Sequence, residues 1–310
     1  MPNVTSRTRA AAVLLAAILS LPAVGCRALC RRPASDESVA AARQLSLHGI
    51  DAQERGLWDQ AEGLFAEAVA RCPQDERARC GYAEALRRRG ARDEAIAHME
   101  EAVRLSGHDP QRLVELGRMY RGHGDGARAG EQAARAIAAN PQVASAWALR
   151  GEVLQDAGKL SEALASYHRA LAHQQAYPEV QLAIAEIYRR EGRPQRSLAT
   201  LQALAASFPP GQTPAEVLVQ EGRALAALGR HQDAAHALAQ ACQQCGDPSV
   251  DLLYELAQSQ MFAGETAPAR QALAAALERE PGHAGCLALE QQCGARGERI
   301  VATATNTALP

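Results

Sequence analysis

Residues 144–177 read ASAWALRGEVLQDAGKLSEALASYHRALAHQQAY, and this stretch contains a pattern that recurs along most of the chain. Small residues stand at Gly151 and Ala163, with Gly158 between them. The large residue Tyr167 follows Ala163 by one helical turn. Residues three, four and seven apart share one face of a helix, so the stretch predicts two helices joined at Gly158. Small residues let the two backbones approach closely, and Tyr167 fills the remaining space.

The glycine between the two helices recurs every 34 to 37 residues. The members of this column are Gly56, Gly90, Gly124, Gly158, Gly192, Gly229 and Gly264. Glycine accepts the backbone conformation that ends one helix and turns into the next. Five residues later stands a second column, occupied by Ala61, Ala95, Ala129, Ala163, Ser197, Ala234 and Ala269. A fixed period in the thirties predicts stacked supersecondary units.

This pattern resembles the tetratricopeptide repeat, a helix–turn–helix unit of 34 residues. The best match is residues 144–177, through Trp147, Leu149, Gly151, Gly158, Ala163, Tyr167 and Ala170. The resemblance implies an all-α fold, a right-handed superhelical solenoid of about seven repeats with a C-terminal capping helix. It also implies a general protein-binding scaffold, and it names no partner.

The N-terminus has the composition of a bacterial secretory signal. Arg7 and Arg9 precede an apolar stretch at 10–21, which is too short to span a bilayer as a helix. Residues 23–26 read Ala-Val-Gly-Cys, which resembles the lipoprotein cleavage box in which the cysteine is lipidated. We therefore expect residues 1–25 to be a signal peptide and Cys26 to carry a lipid anchor. The expected location is the bacterial cell envelope, facing the periplasm or the exterior. Plain secretion and an uncleaved anchor on a cytoplasmic scaffold remain alternatives.

The rest of the chain divides by composition and periodicity. We expect residues 26–41 to be the lipidated N-terminus and a polar linker. Residues 42–294 are predicted to form the solenoid and its capping helix. Residues 295–310 lack helical periodicity, and we expect them to be a disordered tail.

Composition and motifs argue against several classes of function. The net charge of −2 gives no general attraction for nucleic acid. The sequence has no Gly-x-Ser-x-Gly elbow, phosphate-binding glycine loop or His-Glu-x-x-His helix. We therefore expect a protein that is not an enzyme and that needs no cofactor, metal or catalytic residue.

The cysteines suggest a different class of function. Cys242 and Cys245 form a Cys-x-x-Cys pair, and Cys286 and Cys293 follow, so a metal- or redox-responsive domain is the alternative. The repeat register places Cys242 and Cys293 in mostly apolar columns, which favours buried thiols. A disulfide between Cys72 and Cys80 is a further possibility from the sequence.

In the family that the repeats resemble, the first helices line a concave groove that holds partner segments. The residues projected onto this groove are Arg77, Arg87, Arg88, Arg118, Arg121, Arg189, Arg190, Arg223, Tyr254, Met261 and Phe262. Converging arginines bind carboxylates through bidentate hydrogen bonds. The predicted partner is a protein segment with an acidic stretch beside an apolar anchor. The alternative is an ordinary solvated face in an arginine-rich protein.

Overall fold

A computed structural model describes residues 36–294 of the chain. Over this range the chain consists of α-helices joined by short turns and loops, with no strand. No helix in this range is long and apolar enough to cross a bilayer. The predicted signal peptide at 1–25, the lipidation at Cys26 and the tail at 295–310 lie outside the described residues.

The chain divides into two compact units, with the boundary between Gly81 and Tyr82. The first unit contains α1 (Asp36–Glu54), α2 (Trp58–Arg71) and the first turns of α3 (Glu76–Arg89). Residues 36–41 are helical, although the sequence places them in the linker. Asp36 and Glu37 lie in the first turn of α1, where negative side chains interact favourably with the partial positive charge of the helix N-terminus.

The second unit contains the rest of α3 and the helices that follow. These are α4 (Arg92–Leu105), α5 (Pro110–Gly122), α6 (Gly126–Ala139), α7 (Ala144–Asp156), α8 (Leu160–His173), α9 (Pro178–Arg190), α10 (Pro194–Ala205), α11 (Ala215–Ala227), α12 (His231–Cys245), α13 (Val250–Ala263) and α14 (Thr266–Arg279). A further helix, α15, spans 284–294. Odd-numbered helices are the first helices of repeats 1 to 7 and even-numbered ones the second, while α15 is the predicted capping helix. The predicted all-α repeat fold is confirmed.

One turn geometry joins the two helices of every repeat. The column of glycines has φ between 70° and 90°, a left-handed conformation that costs glycine little because it has no Cβ. The residue after each glycine donates its backbone N–H to the carbonyl five positions earlier, as Lys159 does to Leu154 at 2.9 Å. This hydrogen bond is the Schellman closure of a helix C-terminus, and it satisfies a carbonyl that would otherwise lack a partner.

Close packing of small residues against large ones fixes the spacing of the helices. A Cβ atom added to Gly151 of α7 would lie 2.5 Å from Cε1 of Tyr167 on α8. In the first unit, the Phe65 ring packs in the same way against Gly49 and Gly81. Tyr167 and Phe65 are both at most 2% exposed. These rings therefore occupy space that exists only because the facing residue is glycine.

Within the second unit, each helix from α4 to α14 contacts its sequence neighbours in that range. First helices of neighbouring repeats also contact one another, as α5 does with α7 and α9 with α11. At the C-terminal end, Cys286, Leu289 and Cys293 of α15 are buried in one apolar cluster with residues of α13 and α14. The capping helix thereby covers an apolar face of the seventh repeat.

We expect Gly151→Ala to destabilise the protein by about 1–3 kcal/mol, a typical cost of overpacking. The new methyl group would collide with the ring of Tyr167, which is buried and held by its hydroxyl donating to Gln155 Oε1 at 2.8 Å. Urea unfolding followed by circular dichroism measures the effect.

Gly130→Ala is the matched control, since its Cβ would meet its nearest neighbour at an ordinary 3.6 Å. This variant should be unchanged or stabilised by up to about 1 kcal/mol, because alanine favours helix. Equal stability of Gly151→Ala and wild type would contradict the packing described above.

Candidate functional site

An open cleft of about 620 Å³ lies on the first helices of repeats 3, 4 and 5, within the second unit. Its lining residues are Arg118 and Arg121 on α5, Glu152 and Gln155 on α7, Tyr167 on α8, and Tyr177, Glu179, Val180 and Ala183 at the start of α9. Arg118 and Arg121 belong to the groove predicted from the sequence. The structure therefore brings these two predicted arginines into one cleft.

Arg121 is held by carboxylates of the next repeat. Its Nε lies 2.6 Å from Asp156 Oδ2, and its Nη1 lies 2.6 Å from Glu152 Oε2. Tyr167 lies beside Arg121 and its carboxylates. Burial raises the pKa of the Tyr167 phenol, and the charge of Glu152 raises it further. Tyr167 thus stays protonated and donates to Gln155. Arg121 is already satisfied within the chain and is not an open anion-binding group.

Arg118 differs from Arg121 because it is exposed and its Nη2 donates to the hydroxyl of Tyr177 at 3.3 Å, its single hydrogen-bond partner among the described residues. Within residues 36–294 no carboxylate lies within ion-pair distance of its guanidinium. A guanidinium presents several N–H donors in a planar fork that matches a carboxylate. Arg118 is consequently the arginine of this cleft that can bind a carboxylate of a partner.

Two pairs of predicted groove arginines share a single carboxylate each. Arg87 and Arg88 contact Glu84 at 2.7 and 3.4 Å, and Arg189 and Arg190 each contact Glu186 at 2.7 Å. Burial alone would raise the pKa of Glu84 and of Glu186, but the hydrogen bonds and charges of the arginines lower both overall. Each of these four arginines is therefore already held by a carboxylate of the chain.

The remaining predicted arginines have different surroundings. Arg223 on α11 forms a bidentate pair with Glu255 on α13, with distances of 2.8 and 2.9 Å. Arg77 belongs to the first unit, where it lines a separate cleft of about 520 Å³ with Arg43 and Asp75. In the second unit, each predicted groove arginine other than Arg118 is thus paired with a carboxylate of the chain.

The apolar C-terminal end of the predicted groove needs a correction. Met261 is 3% exposed and belongs to the core between α13, α14 and α15, so it cannot contact a partner. Tyr254 packs partly against the same core, and its ring lies 5.7 Å from that of His283. Phe262 is 52% exposed, with the ring of His231 at 4.9 Å. Of the three, only Phe262 presents a large apolar surface.

The cysteines do not assemble into a metal site in the described part of the chain. No three side chains of His, Cys, Asp or Glu in residues 36–294 come together as metal ligands. No disulfide joins any two cysteines in this range. Burial raises the pKa of the Cys242 thiol, and the neighbouring Cys245 raises it further. These observations give no support to the alternative function based on Cys242, Cys245, Cys286 and Cys293.

Comparison with known families agrees with the repeat geometry. Sequence profiles described as tetratricopeptide repeat match residues 46–110, 114–179, 154–214 and 251–283. The chain belongs to the tetratricopeptide-repeat family. A protein of this family is a protein–protein interaction scaffold, and its fold is generally non-catalytic. No curated protein matches the chain in sequence.

Solved tetratricopeptide-repeat structures share this fold. A tetratricopeptide repeat protein from Parabacteroides merdae is 16% identical with a TM-score of 0.59, covering 82% of this chain and 99% of that one. PilF of Pseudomonas aeruginosa is 16% identical with a TM-score of 0.59, covering 73% and 99%. A thermophilic tetratricopeptide-repeat protein of Thermus thermophilus is 26% identical with a TM-score of 0.50, covering 61% and 99%. These similarities concern the fold.

Several residues of the cleft were not identified from the sequence. Glu152 and Asp156 follow Arg121 by 31 and 35 residues, close to one repeat length. A search for carboxylates one repeat after each groove arginine could have found them, because first helices of neighbouring repeats lie side by side. Tyr177 and Glu179 stand at the start of α9, and no periodic pattern indicates them.

We expect part of the acid sensitivity of the protein to depend on Glu186. Its pKa lies below the usual 4.5, so it contributes stability that is present above that pH and lost as the pH falls through its lower folded value. Glu186→Gln removes this contribution. The difference in urea midpoint between wild type and the variant should shrink as the pH falls from about 7 to about 3.

Glu131→Gln is the control, since Glu131 is an exposed carboxylate on α6 with no ion-pair partner in the described range. Its difference from wild type should be small at every pH. A Glu186→Gln difference that stays constant with pH would contradict the role assigned to this carboxylate.

Proposed function

We propose that this protein is a non-enzymatic adaptor, tethered to a bacterial envelope membrane through Cys26, that binds an acidic segment of a partner protein in the cleft on α5, α7 and α9. Such an adaptor would serve in the assembly of an envelope machine. The observation that carries the proposal is Arg118, an exposed guanidinium in the cleft with no carboxylate partner in residues 36–294.

The cleft has the composition of a site for a polypeptide segment. Ala183 is partly exposed and supplies apolar surface, and the ring of Tyr177 stands beside Arg118. Tyrosine and arginine are enriched among the residues that dominate protein–protein binding energy. If a carboxylate of a partner bound at Arg118, the residues next to it in the partner segment would contact this apolar surface.

The tether is supported by the sequence at the N-terminus. A basic start, a short apolar stretch and the Ala-Val-Gly-Cys ending are typical of a lipoprotein signal. Multiple acyl chains on Cys26 would hold the protein on a membrane, because each buried methylene adds to membrane affinity. The repeats would then face the compartment outside that membrane.

We expect Arg118→Glu to reduce recovery of the partner about tenfold or more. Replacing an arginine that dominates the binding energy of an interface commonly has an effect of this size. Native co-purification from membranes with quantitative mass spectrometry measures this recovery. Arg92→Glu is the matched control, because Arg92 is exposed at the start of α4 and does not line the cleft. Partner recovery that is equal in the two variants would place the binding surface elsewhere.

We expect Cys26→Ser to abolish labelling with a radioactive fatty acid and to release the protein from the membrane fraction. The thioether through which the lipid is attached needs the cysteine sulfur, which serine lacks. Cys30→Ser provides a control four residues away and should change neither result. If Cys26→Ser stays labelled and membrane-bound, Cys26 is not the anchor.

A further inference from the structure

We propose that the cleft on α5, α7 and α9 is bipolar, and that it selects a partner segment with an acidic side chain at Arg118 and a basic side chain at Glu179. This inference rests on the proposed adaptor function and adds a second recognition element to it. The partner's two charges would stand a few residues apart in an extended segment.

The first observation concerns the exposure and the surroundings of Glu179. This carboxylate is exposed, lies in the first turn of α9 and lines the same cleft as Arg118. Within residues 36–294 it forms no ion pair, and it does not contact the guanidinium of Arg118. Two opposite charges therefore stand in one cleft without neutralising each other.

The second observation is the state of the other charged groups in the cleft. Arg121 and Glu152 pair with each other at 2.6 Å, and Asp156 adds a second carboxylate to Arg121 at 2.6 Å. A partner would have to break these ion pairs in order to use either residue. Arg118 and Glu179 are thus the lining charges that a partner can bind without that cost.

Tyr177 lies between the two charges along the chain of contacts. Its hydroxyl accepts a hydrogen bond from Arg118, and its backbone directly precedes α9, two residues before Glu179. Because Arg118 and Glu179 both line one cleft, a short partner segment lying in it can approach both charges. In an extended peptide, alternate side chains lie on one face about 7 Å apart. Two charges placed two residues apart therefore lie on the same face of an extended segment, and this spacing is the one to test first.

Charge complementarity of this kind determines specificity and orientation more than affinity. Exposed ion pairs each contribute little, whereas placing like charges opposite each other disfavours the wrong partner. A segment with only acidic side chains would bring a carboxylate against Glu179. A bipolar segment satisfies both groups, and in one chain direction only.

The test uses the full chain in detergent micelles and four fluorescent decapeptides in a Gly/Ser background with one leucine. One peptide has Glu followed two residues later by Lys, one has the reverse order, one has two Glu and one has two Lys. Fluorescence anisotropy at low salt gives each Kd. The protein variants are Arg118→Glu, Glu179→Lys, the double exchange of both, and Arg92→Glu as a control.

We expect one bipolar peptide to bind wild type and Arg92→Glu about threefold to tenfold more tightly than the two-Glu and two-Lys peptides. Each single cleft variant should lose this preference. The double exchange should restore it with the opposite order of charges, which a general loss of folding or of groove shape would not produce.

Two results would overturn the inference and leave the adaptor function intact. In the first, the two-Glu peptide binds wild type as tightly as either bipolar peptide and still depends on Arg118. In the second, no peptide preference exists, although Arg118→Glu still removes the partner from membrane preparations. Failure of the adaptor function has a different signature, which is unchanged partner recovery with Arg118→Glu.

Discussion

The contact between a small residue on a first helix and a large residue on the second helix is the interaction on which the rest of the structure depends. Where the large residue is aromatic, as at Tyr167, the facing residue is glycine. In repeat 3 the large column holds Ala133, and Leu149 of the next repeat fills the space beside Gly117 instead. The space beside the small residue is thus filled by a large side chain in both cases, although the side chain comes from different helices. Close packing of the interior requires this.

This close spacing determines the chemistry of the cleft. Because α5 and α7 pack side by side, a side chain on one first helix reaches the next repeat, and Arg121 meets Glu152 and Asp156. The same arrangement joins Arg223 to Glu255 on neighbouring first helices. Exposed ion pairs add little stability. Their main effect here is that they neutralise charged side chains on the first helices, so that few charged groups remain available to bind a partner.

The fold could be predicted from the sequence because it depends on side-chain volume and backbone conformation. Both of these follow directly from the type of residue at each position. The glycine column and the small and large columns specify helix pairs, turns and neighbours. The binding face depends instead on pairing between side chains of different repeats. Arg118 and Arg121 occupy similar positions in the sequence pattern, yet one donates to Tyr177 and the other is held by two carboxylates. Met261 looks like a groove residue on a helical projection, but its side chain is buried in the apolar cluster at the C-terminal end of the repeats.

From α4 to α14, the contacts link each helix to its sequence neighbours, and they also link first helices of neighbouring repeats. Among residues 82–294, no helix from a distant part of the sequence holds the two ends of the array together, so each repeat resists a stretching force through its own contacts. Under tension, repeats would peel away one after another from an end, each at a modest load, and would refold in place when the tension falls. The unit would therefore behave as an extensible spring whose length responds to force.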